Sequence, residues 1–299
     1  MLRLAMTTDA ETFERVRGPL ADRGIAVDHM RAKERALRVS GGGGGKGAAG
    51  TTDEFDGFDA GFVYPSRLME GAVVDARLSV PWVNDREAVL TSRNKAGVLA
   101  ALDDAGLSTP RTTLISNPVN EAVVTEAVEP FSYPVVVKPN SATRGVGVAT
   151  ATDLDSLLGV VDYLNLVHDY RATGDKSYLI QEFLPNARDY RAMVVDGVYV
   201  GAVERKLSPD AVEEGRWKHN VHRGAEATGI DLPDRARELA EQTAERLGIE
   251  YLGVDLLQAD ERLVVNETNA RPTVDAATKY EPDFYDRLAG LIERTAAEK

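Results

Sequence analysis

Residues 251–269 read YLGVDLLQADERLVVNETN. Apolar and polar positions alternate on either side of a polar centre near Asp260, the pattern of two antiparallel strands joined by a tight turn. Residues two apart in a strand share a face, so Glu267 and Asn269 point the same way. With the turn centred near Asp260, Asp255 falls opposite Val265 and diagonal to Glu267, on that same face. Two carboxylates and an amide oxygen then converge. Asp and Asn are poor strand formers, and like charges on one face repel. A cation answers both objections. Hard oxygen donors of this kind suit Mg²⁺ (or Mn²⁺), which takes a few protein oxygens and leaves its other positions to phosphates and water. The plainer alternative is a polar strand edge facing solvent.

Upstream, VVVKPNSATRGVGVAT at 135–150 places Lys138 at the end of a buried-type strand and follows it with a loop of small residues from Ser141 to Gly147. Gly145 and Gly147 allow backbone N–H groups to approach phosphate oxygens, and the lysine adds a fixed positive charge. QEFLP at 181–185 is extended. The backbone at Glu182 and Phe183 could read the edge of a planar ring such as adenine, though an ordinary buried strand is the favoured account when the segment is read alone. RDYRAMVV and VYVGAVER flank Asp196-Gly197, a strong hairpin signal. An unbroken register puts Asp189 opposite Glu204, with Arg191 on the same face: a structural network or the wall of a site. WKHNVHRGA at 217–225 gathers Lys218, His219, Asn220 and Arg223. Zinc is a weak reading there, because the other histidines, His29 and His168, have no ligand spacing. Phosphate or carboxylate contacts suit the segment better.

Residues 1–84 read as a small α/β unit, with strands at LRLAM, IAVDHM, AGFVYP and PWVN and a helix over 10–23. The run GGGGGKG at 41–47 is nearly a phosphate-binding loop, but Ser40 stands where its first Gly belongs and no Ser or Thr follows Lys46. A flexible Gly-rich loop over 40–52 is the better account. Apolar spacing predicts helices over 85–106, 153–170 (capped by Asp153) and 233–247 (opened by Pro233, closed by Gly248). The chain divides into an N-terminal lobe (1–84), a central lobe with the glycine loop (85–180) and a C-terminal lobe with the metal strand (181–299).

The chain has 299 residues, 43 % of them hydrophobic, and no cysteine. Disulfides and thiolate chemistry are excluded. No apolar run approaches the roughly 20 residues of a membrane span, and the first residues do not form a signal peptide, so a cytoplasmic protein without membrane partners is expected. A net charge of −13 disfavours nucleic acid. Arg far outnumbers Lys, and the acid excess suits a halophilic interior. Its melting temperature is then expected to rise between low and molar KCl, and a flat thermal scan would leave an ordinary acidic protein. A homo-oligomer is left open.

In this order the segments resemble the ATP-grasp superfamily, and particularly its RimK branch of amino-acid (glutamate) ligases. The likeness runs from about Val83 to Ala270 through SRNKAG, the lysine strand and glycine loop, QEF, RDYR…VERK, KHNVHRG, GVDLL and VNETNA. It implies an α/β N-terminal lobe and two α+β lobes that clamp ATP. It implies that Lys138 and Lys95 contact phosphates, the Glu182–Phe183 backbone holds adenine, and Asp189 holds the nucleoside. Lys218, His219 and Asn220 would flank the phosphates, and Arg223 would face the acyl phosphate or substrate. Asp255, Glu267 and Asn269 would ligate magnesium. The implied activity is ATP- and Mg-dependent amide formation between a carboxylate and an amino acid, through an acyl phosphate, with ADP released. The branch usually ends its metal strand Asn-x-Ser-Pro-Gly. Here Asn269-Ala270-Arg271-Pro272-Thr273 stands instead, which makes Arg271 a candidate for substrate selection. Other ATP-grasp ligases (dipeptide, glutathione-type, carboxylase-related) and a nucleotide-binding regulator without turnover are the rival readings.

Overall fold

Leu4, Ala5 and Met6 are fully buried, as an inner strand of a parallel sheet covered on both faces must be. They lie in β1 (Leu2–Met6), followed by α1 (Ala10–Ala21), β2 (Ile25–His29), β3 (Ala60–Phe62), α2 (Leu68–Leu78) and β4 (Trp82–Val83). The strands form a parallel sheet in the order β2-β1-β3-β4. This computed structural model describes residues 1–8, 10–37, 39, 54–142, 145–169, 175–217, 225–276 and 279–298, without the side chains of 10, 167–169, 212 and 213. The Gly-rich run, most of the predicted loop over 40–52, lies outside the described residues.

The expected helix over 85–106 is two helices, α3 (Arg86–Arg93) and α4 (Lys95–Asp104). Asp85 caps the first by accepting from Ala88 N, and Asn94 breaks the run by capping the second through Gly97 N. Both pack chiefly on the strand Arg262–Asn269 of the C-terminal sheet, and α4 also touches the strand Thr112–Ile115 of the central one. Val89, Val98 and Leu102 join the core shared by the first and last lobes.

The middle unit holds β5 (Thr112–Ile115), α5 (Glu121–Val128), β6 (Val135–Pro139), β7 (Ala149–Ala151), α6 (Leu154–Asp169) and β8 (Tyr178–Glu182). Its antiparallel sheet runs β5-β8-β6-β7. It has a core of its own, including Val135, Val137, Leu157 and Ile180. Asp153 opens α6 as expected: its Oδ1 accepts from Ser156 N at 2.7 Å, and Ser156 Oγ accepts from Asp153 N at 3.1 Å.

The last unit contains β9 (Arg188–Val195), β10 (Val198–Lys206), α7 (Pro209–Glu213), β11 (Glu226–Ile230), α8 (Asp234–Leu247), β12 (Tyr251–Ala259), β13 (Arg262–Asn269) and α9 (Phe284–Ala297). Its antiparallel sheet runs β11-β10-β9-β12-β13. α8 buries Ala236, Leu239, Ala240, Thr243 and Ala244, one face of a helix, and ends at Gly248 with φ 63°. α9, which no sequence signal singled out, packs on β3, β4 and β9 and ties the first lobe to the last. Among the described residues no helix is long and apolar enough to cross a membrane.

Two bulges correct the expected registers. Asp196 and Gly197 make the β9–β10 turn with φ of 57° and 72°, and Val195 faces Val198 as a two-residue loop requires. The register then slips between Tyr199 and Gly201, so Asp189 faces Arg205 and Glu204 faces Tyr190. Gly201 makes the slip passable: its φ is 135°, and an added Cβ would lie 2.6 Å from the Lys279 carbonyl oxygen. On the second hairpin the slip lies between Asp255 and Leu256. Asp255 faces Glu267 directly, Leu256 faces Val265, and Asn266 is the extra residue.

Candidate active site

The three sheets meet around a cavity of about 730 Å³. Its floor is the face of β9, β12 and β13 that carries Asp189, Arg191, Asp255, Glu267 and Asn269; Lys138, Gly145 and Glu182 come from the middle lobe, and Lys95 from α4. Phe183 and Trp217, edge to face at 5.8 Å, line it with Val136, Leu184 and Leu257. An apolar slot of this kind beside an extended backbone suits a flat ring. Glu182 is turned away from that role with its side chain: its carboxylate takes both Arg262 guanidinium nitrogens at 2.6 and 2.9 Å and the Arg111 amide at 2.6 Å. Its backbone stays beside Phe183.

Two lysines enter from different elements. Lys95 opens α4; its Nζ lies 3.3 Å from Glu267 and donates to the Ala142 carbonyl at the start of the glycine loop. Lys138 Nζ donates to Asn266 Oδ1 at 3.2 Å. Burial pushes the Lys138 ammonium down to about 8; Glu267 and Asp255 oppose this, and the Lys95 charge adds to it. The bulge explains Asn266: regular alternation would turn it away from the cavity, and the extra residue re-aims it. Alternation in the sequence therefore concealed it. Gly145 lines the cavity, whereas Gly147 and Ser141 do not. Gly147 has φ 76°, and a Cβ there would sit 2.7 Å from Pro139 Cγ. Gly145 also has positive φ, 66°. Gly145→Val and Gly147→Val should each weaken ATP binding by deforming the loop, which a nucleotide titration would read as a raised Kd with the far-UV spectrum unchanged. Lys218, His219, Asn220 and Arg223 lie outside the described residues.

The arrangement is a cleft with two ammonium groups, a glycine loop, an apolar slot and a carboxylate-bearing strand pair. A family model, the RimK-like ATP-grasp domain, matches residues 92–284. The chain belongs to the RimK-like ATP-grasp family. It is 30 % identical over 217 residues to a probable alpha-L-glutamate ligase of Enterobacter sp., covering 72 % of this chain and 68 % of that one. It is 29 % identical, over the same shares, to the ribosomal protein bS6–L-glutamate ligase of Escherichia fergusonii. Among solved structures, D-cycloserine synthetase DcsG shares the fold with a TM-score of 0.71 at 20 % identity, over 98 % of this chain and 99 % of that one. A RimK-domain ATP-grasp protein of Sphaerobacter thermophilus does so at 0.66 and 22 %, over 98 % of each chain. As a RimK-like protein it is an ADP-forming carboxylate–amine ligase that uses ATP and a divalent metal.

Within this RimK-like site the arginines are more engaged than their number suggests. Arg191 grips Asp255 with two bonds of 2.6 and 2.8 Å. Arg205 lies 3.1 Å from Asp255 and donates through Nε to Asp189 at 2.9 Å. Burial alone would raise the Asp255 carboxyl, but Arg191 and then Arg205 outweigh it and hold the group at about 2. Arg205 is raised: desolvation works against its charge, and the Asp255 and Asp189 carboxylates overcome it. Arg271 lines the cavity but donates to the carbonyls of Thr7 at 3.2 Å, Val63 at 3.2 Å and Tyr64. It clasps the ends of β1 and β3 to the segment after β13.

Asp255, Glu267 and Asn269 supply hard oxygens to one face, which fits a divalent ion in donor type. Asp255 gives three of its four lone-pair sites to guanidinium hydrogens, and Asn269 Oδ1 accepts from Arg271 N at 2.9 Å. Glu267, whose side chain is 33 % exposed, is the most available of the three. Among the described residues no cluster of three or more His, Cys, Asp or Glu side chains forms a metal site; the set here is two carboxylates and an amide.

Proposed function

We propose that this ligase adds an amino acid, with glutamate the first candidate, to a carboxylate-bearing small molecule, peptide or carrier, using Mg²⁺ in the cytoplasm. The glutamate choice rests on the named relatives. The observation that carries the mechanism is the meeting of Lys95, Lys138 and Glu267 at one point between the lobes. ATP would lie with its ring against Phe183 and Trp217, its edge read by the Glu182–Phe183 backbone and its nucleoside near Asp189. Lys95, Lys138 and the loop ending at Gly147 would surround its phosphates, joined by Lys218, His219 and Asn220. Asp255, Glu267 and Asn269 would hold the magnesium, which neutralises phosphate charge when bound.

The substrate carboxylate oxygen attacks the γ-phosphorus, the bond to the β-phosphate oxygen breaks, and ADP leaves. The amine then attacks the acyl carbon and phosphate departs, with Arg223 facing the acyl phosphate. The protein contributes alignment, fixed positive charge and exclusion of water, and it needs no covalent nucleophile. Arg271 serves by holding the N-terminal lobe against the metal strand, which places substrate-selecting groups around it.

Hydroxylamine should trap a hydroxamate that depends on both ATP and the carboxylate substrate, with ADP and phosphate as the other products. AMP and pyrophosphate would overturn the acyl-phosphate route. A regulator without turnover would bind ATP and yield no hydroxamate with any acid tried.

A further inference from the structure

A second cavity, of about 190 Å³, opens at the carboxyl ends of β1, β2 and β3. Its lining includes His29, Arg31, Lys33, Arg67 and Arg271 and, among the described residues, no Asp or Glu. That composition is unexpected in a chain whose net charge is −13. The crevice at the carboxyl ends of parallel strands, where neighbouring connections part to opposite sides, is where open α/β sheets take ligands. Here β1 stands between β2 and β3. Thr8, Lys33, Ser66 and Arg271 line both cavities, so the two are continuous.

We propose that this crevice is a second anion subsite, holding a substrate carboxylate other than the one that is phosphorylated. The proposal rests on the ligase reading for what the carboxylate is attached to. The charges that face the junction set the argument. Arg271 is engaged with backbone carbonyls. Arg31 and Arg67 lean outward to Glu34 at 3.6 and 3.5 Å. Lys33 has no ion pair among the described residues. Arg93, at the lip of the main cavity, donates to the Ser66 carbonyl at 2.9 Å and has no carboxylate partner among the described residues. Burial lowers its pKa with no opposing cause, the reverse of Arg205. Glu11, the acid at this end of the main cavity, is paired with Arg15 at 2.5 Å.

Thr8 is a separate sign of a ligand. It is 9 % exposed, lines both cavities, and its hydroxyl has no hydrogen-bond partner among the described residues. A buried hydroxyl is rarely left this way unless a ligand or water meets it. A carboxylate at the junction would accept from Thr8 Oγ1, take the Arg93 fork, and neutralise Lys33.

The test is calorimetric binding of glutarate to the full chain, alongside its monoamide and L-glutamate. The wild type should bind glutarate at least about tenfold more tightly than the monoamide. Lys33→Gln and Arg93→Gln should each erase that preference and leave ATP binding within about twofold; Arg93→Lys, which keeps the charge, should retain part of it. Tighter binding of L-glutamate than of glutarate would assign the carboxylate to the incoming amino acid, and equal binding to the acceptor. Absence of glutarate binding by the wild type, or variants that bind like it, would overturn the subsite. Selective glutarate binding without ADP release under any substrate would uphold the subsite and remove the ligase reading instead.

Discussion

Replacing Glu267 with Gln should lower ADP release by at least about a hundredfold and leave the fold intact, because loss of even an outer-shell metal partner costs about 10–100-fold. Glu267 is part exposed, and its ion pair is with Lys95 at 3.3 Å. Lys95 itself is buried, so losing the pair should cost more than the roughly 0–1 kcal/mol of a surface pair and less than the roughly 3–5 kcal/mol of a fully buried one. Asp255→Asn should also stop turnover, but for a second reason. It leaves the Arg191 and Arg205 guanidiniums over a neutral amide, and breaking a buried pair typically costs about 3–5 kcal/mol. The sequence alone makes the two variants equivalent; the structure separates them. The acid limb adds a check. The folded Asp255 carboxyl sits at about 2 against an unfolded 3.8, so its stabilisation is complete above pH ~4 and disappears as pH falls through about 2. The melting-temperature gap between wild type and Asp255→Asn should therefore close on acidification. Near-normal ADP release by Glu267→Gln across a magnesium titration would remove the metal assignment.

The parts of this fold that local chemistry specifies were legible in the sequence. Asp153, Pro233, Gly248 and Asp196-Gly197 mark their boundaries through capping and turn geometry that needs no tertiary partner. The registers were not, because a bulge is set by what the strand must pass. Gly201 bends where the Lys279–Tyr280 backbone crosses it, a contact eighty residues away in sequence. That single slip replaces an Asp189–Glu204 repulsion with an Asp189–Arg205 pair. The site strand behaves alike: Glu267 and Asn269 share the expected face, while the bulge brings Asp255 square to Glu267 and adds Asn266 to the cavity. Lys33 lies in no motif, and Arg93 falls within SRNKAG without being singled out there. They acquire meaning only once the acids near them are seen to have other partners.

Lys138→Met should lower turnover by about two to three orders of magnitude, the range for removing one preorganised charge facing a transition state. It should also raise the melting temperature of the nucleotide-free protein. Both follow from the same burial. The ammonium is held down to about 8 from 10.5, so below pH ~8 the fold carries a charge it disfavours, at a cost on the order of 3 kcal/mol. That cost fades as pH rises from about 8 toward 10.5, so the stability gap between the variant and wild type should narrow over that range. Glu267 and Asp255 offset only part of the burial cost, so bound ATP phosphates should draw the pKa further upward and make the buried ammonium an attractive charge. In wild type the KM for ATP should accordingly climb above pH ~8, as the free enzyme loses the proton. Lys138→Arg keeps its charge throughout, so its KM, even if altered by shape, should stay flat there. A Met variant with wild-type turnover and an unshifted melting temperature would mean that Lys138 neither meets phosphate nor bears the burial cost assigned to it.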